Sequence, residues 1–270
     1  MKYPMLLSFG FLTLSGLSSM AMAASDITPK HGSASDPISR NYQCFKDGGF
    51  YTPGQGGVNI PNEACRKAFL AGDKLDWQRA AIFENWNAYS QNLIGQSTTP
   101  PYSDKVPDGQ LCSAGMEKNN PANPQRNYSG IDLPSDKWHV SDLVIGKDRK
   151  TKLTYRATQT HEPSKWWIYV SKPDFDATSQ SLKWGDLMEI TIDKVTLEYD
   201  KDKKKFEVYP EKLGAEAVKS TEPGTYYIDV TLPEGYPQNQ HAIVYIAWER
   251  VDSARETFFS CSDVKLKPAN

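Results

Sequence analysis

The sequence changes its repeat at Trp138, and that change limits the folds open to it. Beyond Trp138, β-branched and aromatic residues alternate with polar ones over 139–145, 152–158, 166–171, 187–197, 226–232, 243–249 and 257–266. A period of two puts successive side chains on opposite faces of a strand. Short strands of this kind, separated by turn residues, predict a mainly β protein: a sandwich of the immunoglobulin or fibronectin-III type. The run Asp200-Lys201-Asp202-Lys203-Lys204-Lys205, between Thr196-Leu197 and Phe206-Val208, reads as the solvated tip of a hairpin.

Before Trp138 the pattern is different. Gly48-Gly49, Pro53-Gly54, Gly56-Gly57 and Pro100-Pro101 punctuate the chain, with two helical patterns between them. Asn62 is placed to cap a helix carrying Cys65, Ala68, Phe69 and Leu70 that stops at Gly72; Asp76 is placed to cap a second, through Ala80, Ala81, Phe83 and Trp86 towards Tyr89. This half reads as a long, partly helical loop region inserted between the first strands. With no internal repeat and no linker, residues 31–270 are expected to form one domain.

Residues 1–23 read as a signal peptide: Lys2 is followed by an apolar stretch from Leu6 to Leu17 and a small-x-small site at Ala21-Met22-Ala23. Residues 24–30 then form a short extension or propeptide, and the product is expected to be a secreted, soluble monomer. Four cysteines, Cys44, Cys65, Cys112 and Cys261, imply disulfides in an exported chain, with three connectivities open. None of their spacings is the C-x₂₋₄-C of structural zinc. A net charge of -2 with interspersed signs argues against a nucleic-acid partner or an anionic membrane surface. Seven Trp and 14 Tyr suit either a sandwich core or a surface that stacks on sugar rings.

Four histidines bound the metal chemistry. His139 and His241 stand at strand starts and read as surface or strand-edge residues. His31 precedes Gly32 just beyond the leader; as a first residue it would offer a metal both its ring nitrogen and its α-amine. His161 lies in Thr158-Gln159-Thr160-His161-Glu162-Pro163, where a strand gives way to a turn and a ring can project from the end of the sandwich.

The ordered segments carry a further signal. They are His31-Gly32 with Asp36-Pro37-Ile38-Ser39-Arg40 and Cys44; Pro107-Asp108-Gly109-Gln110-Leu111-Cys112-Ser113-Ala114-Gly115; and His161 ahead of Tyr169-Val170-Ser171-Lys172-Pro173. Leu182-Lys183-Trp184-Gly185-Asp186-Leu187, Trp248-Glu249-Arg250-Val251-Asp252-Ser253 and Phe258-Phe259-Ser260-Cys261-Ser262-Asp263-Val264 follow. In these the chain resembles the bacterial-type lytic polysaccharide monooxygenases, the chitin-binding type-4 domains of auxiliary activity family 10. The resemblance covers nearly everything from His31 to Leu266.

It implies a copper cofactor held by the α-amine and Nδ1 of His31 and Nε2 of His161. Copper(II) favours such tetragonal nitrogen sites, and an α-amine with a free pKa of about 7.7–8.0 yields its proton to a metal near neutral pH. It implies that Phe258 blocks one axial face, that Glu256, on the same side of its strand, positions oxygen species or water, and that Arg250 pairs with Glu256. Gln159 stands where many relatives have alanine near the open axial position. Relatives place an exposed aromatic in the helix Ala81–Asn87, where Phe83 or, by an offset of one, Glu84 stands here, with Trp86 close by. The implied disulfides are Cys44 with Cys65 and Cys112 with Cys261. The implied activity is oxidative cleavage of β-1,4-linked insoluble polysaccharide, chitin before cellulose, with an external electron donor. A polysaccharide-binding protein without catalysis is the alternative, and a copper carrier a third reading. Cleavage after Ala23 would leave Ala24 to Lys30 attached, so the enzyme requires a second cut after Lys30.

Overall fold

The computed structural model describes residues 31–72, 75–116, 127–209 and 222–269; the leader and extension expected at 1–30 lie outside the described residues. Two sheets form an immunoglobulin-like β-sandwich. The first has the order β1 (Gly32–Asp36), β4 (Lys150–Ala157), β9 (Gly224–Thr231), β7 (Thr191–Tyr199) and β8 (Lys205–Tyr209), all antiparallel. The second runs β2 (Ser90–Asn92), β11 (Glu256–Pro268), β10 (His241–Arg250), β5 (Ser164–Ser171) and β6 (Leu187–Glu189), with β3 (Val140–Ile145) parallel to the far half of β11.

β10 is buried along Ala242–Glu249 because both of its faces are covered. Even-numbered residues of β10 and β11, among them Val244, Ile246, Trp248, Phe258 and Val264, enter the space between the sheets and meet Leu153, Tyr155, Leu197, Tyr226 and Ile228. Odd-numbered Tyr245, Ala247, Phe259 and Cys261 face the loop region, where Phe69, Ile82, Phe83, Tyr89 and Tyr102 pack on them. Each large side chain so buried contributes about 1.5–3 kcal/mol. The adjacent Trp166 and Trp167 divide the same way: Trp166, 6% exposed, belongs to the inter-sheet core, and half-buried Trp167 packs against the loop region.

Three helices stand in the loop region: α1 (Arg40–Lys46), α2 (Glu63–Leu70) and α3 (Asp76–Glu84). α2 follows expectation, with Asn62 Oδ1 accepting the Cys65 amide. α3 departs from it. Leu75, not Asp76, is its cap, because the Asp76 carboxylate accepts the Gly56 amide and Arg79 instead. It also stops at Glu84, short of Tyr89. α1 has no apolar stripe to read: its buried positions include Arg40, paired with Asp263, and Asn41, which donates to the Trp86 carbonyl. The run 187–197 is two strands and not one, split at buried Ile190, where the chain crosses between sheets. The hairpin over 200–205 forms as expected, Glu198 pairing with Lys205. Both disulfides join the expected partners, Cys44 to Cys65 within the loop region and Cys112 to Cys261 on β11.

Candidate metal centre

His31 sits immediately before β1 at the end of the sandwich. Its backbone N–H and that of Gly32 both donate to the Asn87 carbonyl at 3.1 Å, and its own carbonyl accepts the Thr158 amide at 2.9 Å. The glycine that follows is dictated by β4: a Cβ on Gly32 would lie 2.4 Å from the Arg156 carbonyl oxygen. His161 stands on the turn after β4, its backbone N–H donating to the Tyr226 hydroxyl at 3.3 Å.

These two anchors stack the imidazoles, centroids 4.6 Å apart and planes at 24°. Phe258 covers the other face of the His31 ring at 4.5 Å, and Trp248 lies 6.0 Å from the His161 ring. His31 is only 4% exposed. His161 Nε2 is buried and makes no hydrogen bond. Burial, then the neighbouring His31 and Arg250, pushes the His161 pKa down to about 3. The ring is therefore neutral, and in its Nδ1–H tautomer the unbonded Nε2 carries a lone pair. Such a nitrogen fits a metal ligand. Among the described residues no group of three or more His, Cys, Asp or Glu side chains could hold a metal.

Glu256 borders the pair. Its Oε2 is 3.9 Å from His31 Nε2 and 2.9 Å from Arg250 Nη1, and its Oε1 accepts the Ser90 hydroxyl at 2.9 Å. Arg250 also pairs with Asp252 at 2.7 Å. Gln159 is half-buried two residues before His161.

A model of the family described as lytic polysaccharide mono-oxygenase, cellulose-degrading, matches residues 31–264, its first matched residue being His31. The chain belongs to this family. Among curated proteins, a lytic cellulose monooxygenase of Streptomyces ambofaciens is 31% identical over 240 residues, 89% of this chain and 54% of its own length. The chitin-binding protein CbpD of Pseudomonas aeruginosa is 26% identical over 239 residues, 88% of this chain and 48% of its own. The chain thus spans about half the length of these two relatives. Among solved structures, the fusolin of Anomala cuprea entomopoxvirus spindles aligns with a TM-score of 0.66 at 23% identity, covering 89% of this chain and 91% of that one. The likeness extends the shared fold to a viral protein.

The resemblance implied an exposed ring in the loop region, and here the structure redirects the sequence reading. Phe83 is fully buried, its ring against Gly49, and presents nothing to solvent. Trp86 stacks on Tyr42 at 3.9 Å, so one face is covered. Glu84 is exposed and accepts the Tyr51 amide at 2.7 Å. The exposed rings of the loop region are instead Phe50, at 47%, Tyr51, at 43%, and Trp77, at 51%. Sequence reasoning missed all three. Trp77 is seven residues before Glu84, hence on the same helix face, and that spacing was the available signal. His139 is exposed as expected; His241 begins β10 and pairs with buried Asp263 at 2.9 Å.

Proposed function

We propose that this chain, once cut to begin at His31, is a secreted copper-dependent monooxygenase that binds insoluble chitin or cellulose and cleaves its β-1,4 linkages oxidatively. The observation that carries this reading is the stacked His31–His161 pair, with a buried, unbonded His161 Nε2 and the His31 main-chain nitrogen alongside. Copper would be held by Nδ1 and the α-amine of His31 and by Nε2 of His161, and bound there it would supply one-electron oxygen chemistry fed by an external donor.

The remaining work belongs to the chain. Phe258 shields the His31 ring with hydrocarbon and excludes water from that side. Glu256 holds a carboxylate 3.9 Å from His31 Nε2, where it orients that ring. Arg250 aims the Glu256 carboxylate by donating to its Oε2 at 2.9 Å. Tyr51 and Trp77 give flat rings for stacking on sugar faces. The relatives support both substrates, one named for cellulose and one for chitin.

Copper titration calorimetry on the form beginning at His31 tests the site. Tight one-to-one binding that vanishes in the form beginning at Ala24 is the expected result; equal binding by both would leave a polysaccharide-binding protein without this centre.

A further inference from the structure

The β10–β11 hairpin carries two ion pairs on opposite faces. Arg250 and Glu256 face His31; their neighbours Glu249 and Arg255 point the other way, Glu249 because side chains alternate along a strand and Arg255 from the turn just before β11. Arg255 Nε lies 3.0 Å from Glu249 Oε1 and Nη2 3.2 Å from Oε2, and Glu249 is 1% exposed. Arg255 Nη1 also donates to the Leu93 and Gln96 carbonyls, both at 3.1 Å, and Nη2 to that of Ser97 at 2.9 Å. A guanidinium has five N–H donors; here five contacts use them. The residue turns inward through a left-handed backbone, φ 48°.

These contacts converge on one point. Leu93 to Ser97 directly follow β2, whose Ser90 hydroxyl binds Glu256 and whose Asn92 pairs with it across the strands. Arg255 therefore fastens both strands that aim the Glu256 carboxylate, β11 by covalent adjacency and β2 through its following turn. We propose that Arg255 is a positioning residue: its clamp on Glu249 and Leu93–Ser97 fixes Glu256 and, through Glu256, the ring of His31. Its importance for catalysis rests on the proposed copper chemistry; the clamp itself does not.

The test therefore reads metal-free protein. Imidazole ¹⁵N NMR of the chain beginning at His31 is compared for wild type, Arg255→Ala, Glu256→Gln and the double variant, with thermal unfolding alongside. Arg255→Ala is expected to move the His31 ring resonances. The double variant is expected to match Glu256→Gln alone, because Arg255 acts through that carboxylate. If Arg255→Ala does not fold, Arg255→Lys, which keeps the charge but cannot serve five acceptors, is expected to give the same shift in part. Unmoved His31 resonances in a folded, merely less stable variant would overturn the proposal, as would independent, additive shifts. Failure of wild type to bind copper would sink the functional reading and leave this comparison standing.

Discussion

At the scale of single residues, the account turns on which groups carry charge. His161 is neutral above a pKa of about 3, so its Nε2 stays available to a metal across the neutral range. His161→Ala should abolish specific copper(II) binding by calorimetry while the far-UV circular dichroism spectrum is kept. Glu256→Gln should retain the fold but lose about 10–100-fold in metal affinity or activity, the usual cost of removing a group that orients a ligand. Asp132 makes an independent prediction. Its Oδ1 accepts the Cys112 and Ser113 amides, yet Oδ2 is buried without a partner, and burial pushes the carboxyl up to about 7 from 3.8. Between about pH 4 and 7 the folded state holds a proton that the unfolded state has released, so this group makes stability fall as pH rises through that window. Asp132→Asn keeps the accepting oxygen and drops the charge. Its stability, read by thermal unfolding, should exceed that of wild type at pH 8 by on the order of a few kcal/mol, with the gap closing at pH 5.

At the scale of elements, the sequence was legible where side chains alternate and illegible where backbone pairing decides. The strands after Trp138 were readable because one face packs into the inter-sheet core. β1, Gly-Ser-Ala-Ser-Asp, and β2, Ser-Gln-Asn, have no such pattern; they exist because β4 and β11 offer them a ladder. α1 escaped notice because Arg40 and Asn41 spend their buried positions on hydrogen bonds. Both histidines of the proposed metal centre were visible, one through the glycine after it and one at the end of its strand, but the exposed rings of the loop region were not. The resemblance left Phe83 or Glu84 at the place of a surface ring, and Phe83 is a core ring in space. The two disulfides act at different ranges: Cys44 and Cys65 are 21 residues apart, Cys112 and Cys261 149 apart. In the chain-entropy model they are worth roughly 3 and 5 kcal/mol. Thermal unfolding should therefore show Cys112→Ser/Cys261→Ser losing more stability than Cys44→Ser/Cys65→Ser.

At the scale of the molecule, the sandwich holds the two histidines at one end while the loop region supplies the face beside them. The Asn87 carbonyl joins the two, binding the amides of His31 and Gly32 just beyond α3. Tyr51 is tied to the end of α3 nearest this contact through Glu84, and Trp77 stands at the other end, about 10 Å further along the helix at 1.5 Å per residue. Tyr51→Ala and Trp77→Ala should each weaken retention on insoluble polysaccharide in a sedimentation assay without changing copper affinity. Weakened copper binding in either variant would mean that the face and the metal centre are not separable. The central claim is that this metal centre becomes an oxidative catalyst only when His31 is the first residue. Mass spectrometry of soluble products from chitin and from cellulose, with copper and a reductant, tests it most directly on two forms of the protein. The form beginning at His31 should release oxidised oligosaccharides and the form beginning at Ala24 none; release by both forms alike, or by neither from either substrate, would contradict the account.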